Sequence, residues 1–527
     1  MRLILRFPVL ILRVVRIMAM HSTRRQFLGT ASIGGAAMGL SELGFLKRLP
    51  RVSAADATVN SNLVRVDSGI EPLVRLLEET SRERLLEEVA AKIQSGTSYR
   101  EVLAALLLAG VRNVQPRPSV GFKFHSVLVV NAAHLASLSS PDSDRWLPIF
   151  WAIDYFKATQ LEEQRASGWK MSAVNEADVP PASKARSAFI KAMDTWDVEA
   201  ADAAVAGLAR HAGVNEVFEL FCRYGARDYR SIGHKAIFVA NSWRTLQSIG
   251  WQHAEPVLRS LAFALLNYGG EQHPAGSDLL PDRPWRKNTE LQTKIRDQWQ
   301  DGKPDKNATR TMLAALRNGT HDDTPAQAVE LLNQGIAPQS IWDAVLIGSG
   351  ELLMRQPGII GLHSLTTANA LRYAYQASAD DAMRRMLLLQ NCAFLPMFRQ
   401  SALGRGQLSD KTVDDLQPLE RSGESPADAI TEIFADVTGN RARAAAKLRD
   451  FLQTGGDARD VINSARRLVF LKGRGAHDYK FSSAVLEDYY HVSPDWRDLF
   501  LALSIFNLRG SGDRDNGLVT RTRDALS

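Results

Sequence analysis

Four histidines recur in register along the chain, and that recurrence constrains the fold more than any other feature. Gly121-Phe122-Lys123-Phe124-His125-Ser126 matches Gly361-Leu362-His363-Ser364, with Asn131 and Asn369 each six residues beyond the histidine. A looser pair sets Gly233-His234-Lys235 beside Gly475-Ala476-His477-Asp478. Their upstream flanks agree better: Phe189 stands 28 residues before Val217, and Phe434 stands 27 before Val461. His125 and His363 are 238 residues apart, His234 and His477 are 243 apart, and the gaps within each half are 109 and 114. These offsets describe a duplicated half of about 240 residues that holds a long unit and then a short one. The boundary falls in the polar, Gly/Pro-containing stretch Asp301–Lys306, which predicts halves over 58–303 and 304–527.

The units read as helical. Residues 85–93, 101–109 and 328–332 carry apolar positions at helical spacing in residues of high helix propensity. Gly96, Gly213, Gly335 and Gly456 stand where C-terminal caps are expected. Val127–Val130 is the one good strand-like run, but its counterpart Leu365-Thr366-Thr367-Ala368 is not strand-like, so both are read as buried helix. The expected fold is all-α, with the two halves and their four units forming a pseudo-fourfold bundle or toroid.

Composition excludes several classes. A chain of 527 residues with 45% hydrophobic and 23% charged residues is globular and long enough for a large core. Two cysteines, Cys222 and Cys392, exclude a disulfide scaffold and a four-cysteine zinc site. The net charge of +6 is no sign of a nucleic-acid partner, because nine Lys/Arg lie in residues 1–57 against only Glu42 and Asp56. The rest of the chain is close to neutral. Nucleotide-binding glycine loops, a His-Glu-x-x-His zinc helix and a Gly-x-Ser-x-Gly elbow are all missing from the sequence.

The N-terminus, Ser22-Thr23-Arg24-Arg25-Gln26-Phe27-Leu28, resembles a twin-arginine (Tat) export signal. A mildly apolar stretch, Gly29 to Leu40, follows, and Ala55-Asp56-Ala57 offers small residues for cleavage. The resemblance implies a removable signal over 1–57, passage through the Tat machinery, and a periplasmic or secreted protein without a membrane span in its mature form. That route is associated with proteins exported already folded, often with a cofactor in place.

Four imidazoles from four helices can hold Fe, Cu, Zn or Mn, or serve as axial ligands to haem b. His125, His234, His363 and His477 are therefore the expected metal ligands, with redox-active Fe or Cu favoured. Asn131, Asn241 and Asn369 are expected to support them, since Asn241 lies nearly two turns after His234 and shares its face. His134, nine residues after His125, should point elsewhere. Lys123, Lys235 and Lys480 lie at −2, +1 and +3 from their histidines. Lys235, Tyr373 and Tyr479 are the expected proton-handling groups, and Arg372 could bind an anionic group. The plain structural alternative is that each histidine is a packed helix-start donor.

The segment Gly361-Leu362-His363-Ser364-Leu365-Thr366-Thr367-Ala368-Asn369-Ala370-Leu371, with Gly233-His234-Lys235 and the apolar helix after it, resembles His segments of questin oxidase-like proteins. That resemblance implies a helical oxygenase acting on an aromatic organic substrate. The expected function is thus an exported oxidoreductase with a His-lined metal or haem site and a small-molecule substrate. The competing expectations are a helical-repeat binding scaffold and a metal-assisted hydrolase with an open coordination position.

Overall fold

The computed structural model describes residues 62–116, 124–270, 272–423 and 425–527. The twin-arginine segment, its cleavage site and Lys123 lie outside the described residues. Among those described there are 22 α-helices and no β-strand, so the chain is all-α. Extended pairing is limited to isolated bridges at Leu63–Ser172 and Lys303–Ile336. Residues Asn60–Ser527 form one compact unit.

Four helices carry the recurring histidines: α1 (His125–Leu138), α2 (His234–Ile249), α3 (Ile359–Ala377) and α4 (Ala476–Asp488). Each has three helices before it and one after it, with Arg283–Leu291 and Leu518–Leu526 standing outside that pattern. The flanking helices are amphipathic: Lys306–Asn318, for instance, buries Ala308, Met312, Leu313 and Leu316 on one face. Some helix starts are set by side-chain caps. Ser98 and Glu101 form a reciprocal capping box, and Asp305 accepts from the Ala308 amide at 2.7 Å. Other helices are instead buried along most of their length, Tyr99–Asn113 and Pro338–Arg355 among them. Runs such as Ala104-Ala105-Leu106-Leu107-Leu108-Ala109 explain why, since a helix apolar on every side must be enclosed.

The histidine helices pack against one another in chain order, α1 on α2, α2 on α3, α3 on α4, and α4 back on α1. Small residues let other neighbours close in as well. A Cβ on Gly361 would fall 2.6 Å from the Leu353 Cα, so α3 can lie against Pro338–Arg355 only with glycine there. Two expected caps are corrected. Gly213 starts the helix Val214–Ala226 rather than ending its predecessor, and the left-handed turn after Arg441–Gln453 is made by Gly455, not Gly456.

Candidate metal centre

The four histidines meet. One nitrogen from each of His125, His234, His363 and His477 lies within 4.8 Å of the others, a group that could hold a metal ion. Ring centroids follow one another around a circuit: His125–His234 5.1 Å, His234–His363 4.3 Å, His363–His477 5.0 Å and His477–His125 4.6 Å. His125, His234 and His363 are buried, and His477 is half-buried.

Backbone geometry aims two of these rings. Ser231, Ile232 and Gly233 all take left-handed dihedrals, with φ of 56°, 48° and 77°. That is uncommon for serine and strained for a β-branched residue. The turn turns the Ser231 carbonyl onto the ring that follows, and His234 Nδ1 donates to it at 2.6 Å. Only glycine fits the last position, because a Cβ there would stand 2.2 Å from Thr367 Oγ1 on α3. His363 is held by a simpler device, Nδ1 donating to the Ile359 carbonyl one turn back, also at 2.6 Å.

These two bonds fix the tautomers. A carbonyl only accepts, so both Nδ1 atoms carry their ring's proton, and a neutral imidazole has no second one. Yet His234 Nε2 and His363 Nε2 stand 3.0 Å apart. Protonating either ring is opposed. Burial, then the Lys480 charge, hold His234 well below the ordinary histidine range. Burial, then His234 and Lys480, do the same to His363. Two bare lone pairs therefore face each other, an arrangement that a shared cation stabilises. His125 Nε2 lies 3.1 Å from the same His234 nitrogen. Metal–imidazole bonds of about 2.0–2.1 Å put neighbouring ligand nitrogens roughly 2.9–3.4 Å apart at angles of roughly 90° to 110°, and both separations fall in that interval. The buried His477 Nε2 has no hydrogen-bond partner among the described residues. Burial, then Lys480, lower this ring to about 4, so it too is an unprotonated donor at neutral pH.

The haem expectation is corrected by the same distances. Rings 4.3–5.1 Å apart around the whole circuit leave no plane in which a porphyrin could lie between them.

The supporting residues expected from sequence are placed differently. Asn131 and Asn241 face each other at 3.5 Å, and Asn241 donates to the Leu128 carbonyl, so this pair ties α1 to α2. Asn369 donates to Glu487 and Asp488, tying α3 to α4. His234 and His363 are oriented by the Ser231 and Ile359 carbonyls, which no residue type in the sequence advertises. Lys235 turns away from the quartet and pairs with the fully enclosed Asp228 at 2.7 Å. Tyr373 donates to Gln247 at 2.9 Å on the exposed side. Tyr479 is buried, stacked on Trp151 with centroids 4.2 Å apart, and its hydroxyl has no hydrogen-bond partner among the described residues. Arg372 donates to Gln339. His134 bonds Tyr99 and Ser248, outside the quartet as its spacing requires. Cys222 and Cys392 are buried free thiols.

A cleft of about 450 Å³ lies elsewhere, lined by Arg65, Asp67, Glu176, Arg210, His253 and Arg259 among others. No described helix is long and apolar enough to cross a membrane. No protein-family model, curated protein or solved structure matches the chain.

Proposed function

We propose that the quartet is the metal centre of an exported oxidoreductase, with copper or iron held by four neutral imidazoles. The observation that carries this reading is the 3.0 Å approach of the His234 and His363 Nε2 atoms when both Nδ1 protons are already committed to carbonyls. Imidazole suits Cu and Fe as well as Zn. Four histidines favour a redox ion over a hydrolytic zinc, whose usual site has three protein ligands and one open position. A packed scaffold has no use for facing lone pairs, a strained turn at Ser231–Ile232 and an orphaned His477 nitrogen.

The chain's own residues supply the site's constancy. The Ser231 and Ile359 carbonyls hold two rings in one tautomer and raise their basicity as donors. Burial keeps the rings unprotonated at neutral pH, ready to bind a cation. When bound, the metal supplies one-electron chemistry, and the resemblance to questin oxidase-like segments points to oxidation of an aromatic organic substrate. The twin-arginine segment supports export of the folded, loaded protein.

The test is elemental analysis of protein exported by its native route, with absorption and electron paramagnetic resonance spectra before and after reduction. One copper or iron per chain, with spectra that change on reduction, is expected. Stoichiometric zinc, silent to reduction, would contradict the redox assignment, and absence of metal would contradict the centre itself.

A further inference from the structure

Lys480 is the least expected neighbour of the quartet. It lies one turn after His477 on α4 and is only 3% exposed. Its Nζ has no hydrogen-bond partner among the described residues. It is close enough for its charge to bear on His234, His363 and His477. Thr367 is a second such group. It is one turn after His363 on α3, fully buried, its Oγ1 pressed toward Gly233 and likewise without a hydrogen-bond partner. Buried donors are almost always satisfied, and an enclosed ammonium is costly without a counter-charge.

The nearby carboxylates are spent elsewhere. Asp478 accepts from Arg509 and from the Arg474 and Gly475 amides. Asp488 accepts from Asn369, and its burial favours the uncharged acid. Asp228 belongs to Lys235. A divalent metal on four neutral imidazoles, with an ammonium alongside, would leave the interior strongly positive. No carboxylate among the described residues pairs with Lys480, and an anionic ligand would supply the balancing charge.

We propose that the quartet, Lys480 and Thr367 form a binding site for a small anion, held between the metal and the Lys480 Nζ with Thr367 Oγ1 as a second donor. The inference rests on the metal reading above and adds to it a position for an exogenous ligand beyond the four histidines. It makes the centre a place where a small anionic reactant or inhibitor binds, rather than a closed electron-transfer or structural site.

The probe is azide, titrated into copper(II)-loaded protein and followed by its charge-transfer absorption. Metal content and thermal unfolding are measured first on every variant. The wild type should give a saturable band. Lys480→Met should weaken azide by about ten- to a hundredfold, the equivalent of one charge-assisted hydrogen bond, while still binding one copper. Lys480→Arg should retain most of the affinity, and Thr367→Val should lose a smaller share. Thr367→Val also keeps the proposal testable if Lys480→Met does not fold. Copper uptake with no azide band in the wild type, or with equal azide affinity in wild type, Lys480→Met and Thr367→Val, would overturn the anion site and leave the metal centre standing. Failure to take up copper at all would overturn both and locate the error in the metal reading.

Discussion

Lys235 and Lys480 occupy α2 and α4 just after their histidines, and both are enclosed by protein, yet their surroundings are opposite. Around Lys235 the chain has built an ionic framework. Asp228 holds the ammonium at 2.7 Å, Arg227 and Arg230 approach the same carboxylate at 3.7 Å, and Asp282 holds Arg230. Trp196 lies under Arg227 with its ring centroid 3.8 Å away. Around Lys480 there is no comparable partner among the described residues. Burial lowers Lys235 to about 8, against which Asp228 pulls upward. Burial alone lowers Lys480 to about 7. The first lysine is explained by the fold. The second is a cost that the fold does not recover, and such costs gather at functional sites.

Removing the two charges should therefore have effects of opposite sign. Lys235→Met strips a buried carboxylate of its closest partner and should destabilise the protein by about 3 kcal/mol, read by denaturant unfolding. A smaller loss would mean that Arg227 and Arg230 can take over Asp228. Lys480→Met removes an enclosed, unpartnered ammonium and should stabilise the metal-free protein by about 2 kcal/mol at neutral pH. It should also flatten a pH slope. Lys480 is lowered in the folded state, so the unfolded chain binds its proton first as pH falls from about 10.4. Wild-type stability should accordingly rise from pH 7 toward pH 10, and that part of the rise should vanish in the variant. Destabilisation by Lys480→Met would erase the contrast between the two lysines.

The histidines give the smallest effect and sharpen the contrast from the acid side. His234, His363 and His477 are lowered in the folded state, so each contributes stability that is complete above the unfolded value of about 6.5 and lost as pH falls below it. For His477 the loss runs down to about pH 4. Unfolding midpoints of the metal-free protein should decline over that window, and bound metal should be released there as protons compete for the same nitrogens. A flat acid profile would mean that the rings are not buried neutral.

Much of the architecture was legible in the chain. Helical periodicity pointed to the all-α class, and the near-equal histidine offsets marked the four side chains that converge. The half-turn argument for His134 also held, because direction around one helix depends only on residue number. What spacing could not supply was anything set by a partner element. Asn241 shares a face with His234, while Asn131 and Asn369, six residues on, lie about 120° round their helices, and all three are spent joining neighbouring helices. Lys235 follows His234 directly, yet one residue along a helix is about a 100° rotation, and that carries it to Asp228. The ring-orienting groups are backbone carbonyls, one of them exposed to its histidine by a left-handed turn through an isoleucine. Propensity would not place a β-branched residue there. The haem expectation failed because sequence gives the number of ligands and not the space between them.

The central claim is that four imidazoles from four helices bind one cation together. Hyperfine spectroscopy on copper(II)-loaded protein, counting coordinated histidine nitrogens in the wild type and in His477→Ala, tests it most directly. Four are expected in the wild type and three in the variant. One or two nitrogens, or a spectrum unchanged by removing His477, would contradict it.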